Sequence, residues 1–479
     1  MAAVCFAYLS DLPALDRGHA IMDYFPWCRW FTRGWTLQEL IAAKNLEFYD
    51  QNWNLKGDKT SLRQHLSDIT NIDIEVLENS DLISTIPVAK RMSWAAERHT
   101  KRVEDISYCL FGLFDVNLPL IYGEGSKAFI RLQEAIAAEN NDMSLFAWTS
   151  QGSDEALRGL FARSPSEFHE CGSLCRVPDP LGPGTEFALT NRGVRINTHL
   201  SRGQGGYRMN LHCRHSFQHD VTLLGIHLLR TAHGYLRERS NELASYSYAD
   251  PRATEENAVY IPKIISTTES HALSLGLSRR FAINVINVSS FTCDVQKRPE
   301  HLWDEYTNTF ITEGNERFSG VLDITVVGKR EDPKGSGLWR LSSRYALVFG
   351  LGKRAVGAKS EENKGRDIPR PWVSIYSYDG KDEISRTLSD EHEHGFPNVL
   401  TGVSEDLRRR ASSGTMSRSD LSTPLNWHRA TNKGHQKLLD KYYMLCLHAS
   451  TVVRENRGSD PIMYEVIFKI ERESRTNVK

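Results

Sequence analysis

In the first 150 residues, short continuous apolar runs alternate with segments in which apolar residues recur at helical spacing. Short apolar runs at residues 4–9 and 46–50 predict strands, the first of them an inner strand of a parallel sheet. Apolar side chains at helical spacing predict helices over the ranges 36–41, 60–69, 88–99 and 100–114 and in a segment that ends near residue 138. Strands that alternate with helices predict an α/β layer structure for residues 1–149.

After residue 150 the pattern changes to short alternating runs separated by proline, glycine and polar turns. We therefore place a domain border there, with a linker over residues 150–185. Residues 187–190 and 194–197 alternate on either side of Asn191-Arg192-Gly193 and predict a β-hairpin. Further strand-like runs lie at 207–213, 221–229, 281–288, 320–327, 345–350, 373–378 and 463–470.

These runs predict that residues 186–479 form a β-rich antiparallel domain, either a sandwich or a barrel. We expect a helix near residues 432–442. The polar stretch 403–424 is expected to form a mobile loop because it has too few apolar residues to fold alone. Within it, Arg408-Arg409-Arg410 precede Ser412 as in a kinase recognition motif; the alternative is a simple solvated basic loop.

The composition narrows the function classes. The 479 residues have a formal net charge of −1, which does not provide the basic surface that nucleic-acid binding needs. No window approaches the roughly 20 apolar residues of a membrane span. The start of the chain has no basic flank typical of a secretory signal, and the eight cysteines are mostly far apart, as in a reduced protein. We expect a cytoplasmic protein without nucleic-acid or membrane partners.

The candidate chemistry lies in residues 29–40, Arg-Trp-Phe-Thr-Arg-Gly-Trp-Thr-Leu-Gln-Glu-Leu. If residues 36–41 are helical, Trp35 and Glu39 are one turn apart and share a face, so an indole and an acid would line the same cleft. The alternative is an amphipathic helix start, in which Glu39 only interacts with the helix dipole.

Four further sequence words follow in order: Arg-Met-Ser-Trp-Ala-Ala at 91–96, Arg-Val-Glu-Asp at 102–105, Leu-Ile-Tyr-Gly-Glu-Gly at 120–125 and Ser-Leu-Phe-Ala-Trp at 144–148. Together with residues 29–40 they resemble the fungal heterokaryon-incompatibility (HET) domain. HET domains act in the death reaction that follows fusion of genetically different fungal cells, and they resemble TIR domains, some of which cleave NAD. The resemblance implies a TIR-like α/β fold and a role in nonself recognition and programmed cell death. The β-rich region resembles one that many fungal HET proteins carry after the HET domain.

The resemblance also implies a site. TIR enzymes place the catalytic glutamate in a Trp-x-x-x-Glu word, which here runs from Trp35 to Glu39. Glu39 is therefore the candidate catalytic carboxylate of an NAD glycohydrolase, with NAD as a substrate and no cofactor or metal. Trp30 or Trp35 would pack against a ring of NAD, and Arg33 or Arg29 would meet its pyrophosphate.

HET domains normally open with a Ser-Tyr-x-Trp-Gly-like strand and loop, to which nothing here corresponds. We therefore expect an N-terminally truncated HET domain, either a natural short form or the product of an incomplete gene model. The alternative function is a non-catalytic assembly module, or an inactive fragment, that associates with itself or with a sensor protein. An exposed sheet edge would invite such a partner strand.

Other clusters have both a functional and a structural interpretation. Glu104 and Asp105 would either line a pocket or cap a helix, and the spacing favours the structural role. Residues 123–127 lack the spacing of a phosphate loop and are typical of a turn before a helix. A metal site is a weak hypothesis for one further cluster, because strand alternation would separate its members: His212, Cys213, His215 and His219, with Cys171 and Cys175.

Overall fold

The computed structural model divides the chain into two compact units, residues 1–271 and residues 272–479. The predicted border near residue 150 lies inside the first unit and stays a prediction. The structure describes residues 4–13, 21–152, 157–178, 186–203, 206–217, 222–246, 257–277, 279–287, 291–305, 307–312, 318–331, 338–352, 370–377, 417–418, 436–440, 443–454 and 462–474.

The first unit begins with a small mixed sheet in the order β1, β2, β3. Strand β1 (Cys5–Tyr8) runs parallel to β2 (Leu46–Tyr49), and β3 (Leu55–Asp58) is antiparallel to β2. Both strands predicted from apolar runs are therefore present. Among the described strands, however, β1 is an edge strand and not the inner strand predicted. Of its four residues only Ala7 is buried, whereas an inner strand of a parallel sheet is covered on both faces.

Along the chain, helices lie between β1 and β2 and after β3. The α-helices are α1 (Ile21–Tyr24), α2 (Thr36–Ala42), α3 (Arg63–Thr70), α4 (Ile74–Glu78), α5 (Val88–Ser93), α6 (Asp105–Tyr108), α7 (Phe111–Phe114), α8 (Lys127–Glu139) and α9 (Thr267–Leu277). Single-turn or slightly longer 3₁₀ helices occupy Phe25–Trp27, Arg29–Thr32, Ser80–Thr85, Met143–Phe146 and Pro165–Ser173. The mixture of helices and strands confirms the α/β character predicted for the start of the chain.

Two predicted helices are shorter than expected. The helix predicted over 88–99 ends at Ser93, because the backbone N–H of His99 donates to the carbonyl of Thr32 (2.7 Å) instead of continuing a helix. The helix predicted over 100–114 is replaced by α6 and α7, and α7 ends where Asp115 adopts a left-handed conformation (φ 54°).

An aromatic cluster forms the core under the small sheet. Phe48, in the middle of β2, is fully buried and contacts Phe25, Trp30 and Phe31 at ring-centroid distances of 5.5, 5.5 and 6.3 Å. Burying large rings stabilises a core more than any other side-chain type. The cluster therefore fixes the segment that leads into α2.

Hydrogen bonds join the start of α5 to residues 142–144. The Asp142 carboxylate accepts the N–H of Val88 (2.9 Å), and the Ser144 hydroxyl accepts the N–H of Ala89 (3.1 Å). The first N–H groups of a helix have no partner within the helix. Asp142 and Ser144, which are 54 and 55 positions away in the sequence, therefore cap α5. Asp142 and Ser144 therefore have a structural role.

Trp148 links these elements to the following β-strands. Its ring is fully buried, with the Arg237 guanidinium 3.8 Å and the Arg158 guanidinium 4.6 Å from its centroid. Arg237 also donates from Nη1 to the carbonyl of Phe146 (2.9 Å), and burial lowers its pKa to about 9. Residues 146–148 and strand β11 (Gly234–Glu238), which carries Arg237, are therefore packed in one core.

The rest of the first unit is rich in β-strands. One sheet contains β4 (Leu157–Arg158), β5 (Leu174–Arg176), β8 (Leu200–Gly203), β9 (Gly206–His215), β10 (Leu223–Thr231), β11 (Gly234–Glu238) and β12 (Ala244–Tyr246). Another has the order β13 (Asn257–Ile261), β7 (Gly193–Thr198) and β6 (Phe187–Thr190). The predicted hairpin is present, with Thr190 paired to Gly193 across the turn.

The second unit has two sheets, each larger than the three-stranded sheet of β1, β2 and β3. They confirm a β-rich region late in the chain. One has the order β16 (Trp303–Asp304), β17 (Thr309–Ile311), β14 (Arg279–Asn287), β24 (Ile462–Ser474), β23 (Tyr443–Arg454) and β22 (Gln436–Asp440). The other has the order β15 (Phe291–Arg298), β18 (Ser319–Glu331), β19 (Leu338–Gly352), β20 (Arg370–Ser377) and β21 (Ser417–Arg418).

Two predictions for this unit are wrong. The strands are not all antiparallel, because β14 pairs with β24 in parallel over its whole length. The helix predicted near 432–442 is strand β22 where the structure describes it, because residues 436–440 pair with β23 and this tertiary pairing overrides helix propensity. Most of the predicted mobile stretch 403–424, including Ser412, lies outside the described residues.

Candidate functional site

The segment before α2 is anchored by buried aromatic residues and by hydrogen bonds to its backbone. Trp30 and Phe31 belong to the aromatic core, and both are at least nine-tenths buried. The Thr36 hydroxyl donates to the carbonyls of Trp30 and Arg33, the latter at 2.9 Å. The chain therefore turns sharply between the 3₁₀ helix and α2.

Gly34 allows this turn to approach a neighbouring segment closely. Its N–H donates to the carbonyl of His99 (2.9 Å). A Cβ at this position would lie 2.5 Å from Cγ2 of Thr100 and 3.1 Å from Sγ of Cys109. The first distance is shorter than real Cβ contacts, so only glycine fits here.

The buried guanidinium of Arg98 fixes the start of α2. Nη1 donates to the carbonyl of Arg33 (2.9 Å) and to the hydroxyl of Thr36 (3.0 Å), while Nε donates to the carbonyl of Trp94 (3.1 Å). Burial lowers the pKa of Arg98 to about 10, which still leaves it charged at neutral pH. Charged donors make strong hydrogen bonds, so Arg98 holds the turn in one geometry.

These contacts leave the side chains of Arg33, Trp35 and Glu39 exposed. We call the surface formed by these three residues the α2 face. Trp35 precedes α2 and keeps 37% of its surface exposed, and Glu39 lies one helical turn later and is also exposed. The structure therefore places an indole and a carboxylate on one face of a helix, with the exposed Arg33 beside them.

Glu39 has unusual electrostatics for an exposed carboxylate. Partial burial raises the pKa of its carboxyl, and the positive charge of Arg33 opposes the rise. The Cys5 thiol at the start of β1 lies near enough for Glu39 to contribute, after burial, to a raised Cys5 pKa. Within the part of the chain that the structure describes, the Glu39 carboxylate makes no hydrogen bond or ion pair. It is an exposed acid without a structural partner among the described residues.

The two other candidates from the sequence lie elsewhere. Trp30 is only 7% exposed and its ring packs edge-on against Phe31 and Phe48, so Trp35 is the indole that a ligand can reach. Arg29 is exposed, and its guanidinium lies 3.7 Å from the Asp11 carboxylate, near the end of β1. The structure therefore groups Arg33, Trp35 and Glu39 and excludes Trp30 from the exposed surface.

Glu104 has the structural role that the sequence favours. Its Oε1 atom accepts the N–H groups of Gly123 (2.9 Å) and Gly125 (3.0 Å), and these bonds lower its pKa. Both glycines have positive φ, at 97° and 60°. The segment 123–125 is therefore a turn held by Glu104 before α8, and its N–H groups are occupied by a carboxylate.

No group of three or more metal-ligating side chains is found among the described residues. Two members of the histidine and cysteine cluster considered for zinc have structural settings. The ring of His215 pairs through Nδ1 with the Ser173 hydroxyl (2.7 Å), and Cys213 is fully buried. His219 lies outside the described residues. Also among the described residues, no helix has the length and apolarity needed to cross a lipid bilayer.

Sequence reasoning missed the two residues that shape the α2 face. Arg98 has no motif around it, and its role depends on contacts with residues more than 60 positions away. Cys5 lies in an apolar run and approaches Glu39 only through the fold. No local sequence signal marked Arg98 as buried, because the polar residues Glu97 and His99 flank it.

The α2 face combines three elements that a charged, ring-containing ligand requires. Arg33 can pair with an anionic group, Trp35 offers a flat apolar surface, and Glu39 supplies negative charge in partly dehydrated surroundings, where it acts more strongly than in water.

Among curated proteins, the chain is 47% identical over 145 residues to the vegetative incompatibility protein HET-E-1 of Podospora anserina. The similar stretch is 29% of this chain and 10% of that protein, so the chain spans about a tenth of the length of this relative. No family model matches the chain, and no solved structure matches it. The identity relates the chain, over that stretch, to a fungal incompatibility protein.

Proposed function

We propose that this chain acts in fungal vegetative incompatibility and that its HET-like region hydrolyses NAD at the α2 face. The role in incompatibility is supported by the identity to HET-E-1. The observation that supports the chemistry is the state of Glu39, which is exposed, has a raised pKa and has no described partner.

Several other acidic residues of the HET-like region have structural tasks. Glu104 accepts two backbone N–H groups, Asp142 caps α5, and Glu124 pairs with Arg131 (2.5 Å). A carboxylate that has a raised pKa and no such task is a candidate for function, because perturbed pKa values cluster at functional sites.

The proposed reaction breaks the bond between nicotinamide and ribose. The pair of electrons in that bond leaves with nicotinamide, which departs as a neutral base, and the ribose becomes an oxocarbenium-like cation. The negative charge of Glu39 stabilises this cation, as a carboxylate does in glycoside hydrolysis. Water then adds to the ribose and releases a proton, so the products are nicotinamide, ADP-ribose and H⁺.

Arg33 and Trp35 orient the substrate in this proposal. The Arg33 guanidinium pairs with the pyrophosphate, and its charge also helps keep Glu39 ionised. The exposed ring of Trp35 packs against a ring of NAD. Arg98 acts through the turn: it holds the Arg33 carbonyl and Thr36 and thereby positions the other three side chains.

An NAD-consumption assay on the purified chain at high protein concentration tests the proposal. We expect turnover in the parent protein and its loss in Glu39→Ala and Glu39→Gln, with folding unchanged by circular dichroism. Cell death in a fungal host should likewise occur with the parent protein and be lost in both Glu39 variants. Turnover that is equal in all three proteins would refute the assignment of Glu39.

A second candidate function, assembly without catalysis, is supported by a different observation. β1 is an edge strand with exposed aromatic side chains, which is a typical association surface. In this alternative, death follows from assembly and persists in both Glu39 variants. Scoring death and NAD consumption in the same cells separates the two functions.

A further inference from the structure

The edge of β1 presents unused backbone hydrogen-bonding groups. In the parallel pair with β2, the N–H groups of Cys5 and Leu9 donate to β2-side carbonyls at 2.9 and 2.8 Å. Backbone groups alternate in direction along a strand. Those of Phe6 and Tyr8 therefore point to the open side, where no described strand pairs with them.

The side chains of the same two residues form an exposed aromatic surface. Phe6 is 59% and Tyr8 40% exposed. Tyr8 stacks on Trp53 at 4.7 Å with an interplanar angle of 15°, and Phe6 meets Tyr49 edge-on at 5.7 Å. Apolar side chains of this size are normally covered by a helix or a further strand.

The loop that carries Trp53 is built to hold this ring in place. Trp53 has φ 61°, a left-handed conformation that is rare for a bulky residue. The buried Asp50 carboxylate imposes it by accepting the N–H groups of Asn52 and Asn54 (both 2.9 Å) and by pairing with Lys56 (2.7 Å). Strained backbone of this kind persists where the surrounding structure over-determines it.

We infer that the β1 edge binds the β1 edge of a second copy of this chain, antiparallel and about a two-fold axis through Ala7. In this register Phe6 lies opposite Tyr8 of the second copy, and symmetry repeats the pair. Each pair exchanges its free backbone N–H and C=O groups, and the two aromatic side chains become cross-strand neighbours. The edge is self-complementary, as an isologous interface must be.

The charges around β1 favour a second copy as the occupant. The strand itself has no charged residue between Val4 and Leu9. Glu39 lies near its first residue, Cys5. Beyond its end, Arg29, with a side chain 79% exposed, lies 3.7 Å from the less exposed carboxylate of Asp11 (31%). Antiparallel pairing brings the start of one strand to the end of the other. It therefore directs Glu39 of one copy toward Arg29 of the other, at both ends of the interface.

The test measures the dimer dissociation constant of the full chain by sedimentation velocity. Phe6→Pro removes the outward N–H without touching the bonds to β2, and Phe6→Lys places a charge on the edge. Each should weaken the dimer by about tenfold or more. Val103→Lys, which also replaces an exposed apolar residue (61% exposed), is the matched control and should leave the constant unchanged.

Charge exchange tests the register. Glu39→Arg and Arg29→Glu should each weaken association, and the double variant should restore it. A parent chain that stays monomeric, a dimer unaffected by Phe6→Lys, or a double variant no better than the single ones would overturn the inference. The inference does not depend on NAD hydrolysis, because its measurement is association alone.

Discussion

The clearest test of how the fold supports the α2 face is Arg98→Met. Methionine keeps much of the volume of the side chain but removes three hydrogen bonds, to the Arg33 carbonyl, the Thr36 hydroxyl and the Trp94 carbonyl. Hydrogen bonds from a charged donor contribute about 1.5–3 kcal/mol each. Their loss would therefore cost roughly 4–9 kcal/mol if nothing offset it.

The offset comes from the burial of the charge. The pKa of Arg98 falls from 12.5 to about 10, because burial penalises the cation. At 1.36 kcal/mol for each pKa unit, removing the charge recovers about 3 kcal/mol. Nη2 of Arg98 has no hydrogen-bond partner, which is consistent with this cost. We therefore expect Arg98→Met to destabilise the α2 turn by about 1–6 kcal/mol.

Amide hydrogen exchange is the suitable assay, because it reports on residues 30–42 separately from the rest of the chain. The Gly34 amide should lose protection in Arg98→Met by the factor that this energy implies. Arg63→Met is the control, since Arg63 forms an exposed pair with Glu78 at 3.1 Å and should change exchange little. If Arg98→Met behaves like the control, with a change below about 0.5 kcal/mol, the reasoning about Arg98 is refuted.

Three further predictions concern the same region. Gly34→Ala should destabilise the first unit by about 1–3 kcal/mol in urea denaturation, because the new Cβ would lie 2.5 Å from Thr100. The control is Gly112→Ala, which should leave stability unchanged because the nearest neighbour of its Cβ lies at 3.8 Å. Equal effects of the two substitutions would contradict the reasoning about Gly34. Glu104→Ala leaves the N–H groups of Gly123 and Gly125 unpaired, so it should lower the free energy of unfolding by about 1–3 kcal/mol. Amide exchange at residues 121–126 should become faster. Unchanged exchange there would argue against the role of Glu104. Burial raises the pKa of Glu39 in the folded protein, so the protonated form of this carboxyl favours folding. Its full contribution to stability is present below the ordinary pKa of a glutamate and is lost as pH rises through the pKa of the folded protein. Glu39→Gln should then be at least as stable as the parent at pH 7, with the difference vanishing in acid, and a variant less stable at pH 7 would contradict the direction of the shift.

The sequence predicted local elements better than their tertiary setting. The apolar runs around Phe6 and Phe48 indicated strands correctly, because strand formation depends on local spacing. Their place in the sheet depends on which other strands pair with them, and the edge position of β1 follows from partners that no local pattern specifies. Strand β22 illustrates the same point, since pairing with β23 decides its structure.

The candidate site was partly predictable for a similar reason. The spacing of Trp35 and Glu39 placed both on one helical face, and the structure agrees. The spacing gave no information on Trp30, which the aromatic core around Phe48 buries. Arg98 was not predictable, because its hydrogen bonds join segments that are distant in the sequence.

The most direct test of the central claim is the rate of nicotinamide release from NAD by the parent chain, Glu39→Gln and Glu97→Gln at pH 7. Glu97 is a carboxylate with an 80% exposed side chain and serves as the matched control. The account predicts equal rates for the parent and Glu97→Gln and a rate at least about 100-fold lower for Glu39→Gln, the size expected when one electrostatic group is removed from a transition state. A parent chain that releases no nicotinamide, or a Glu39→Gln variant as fast as the parent, would contradict it.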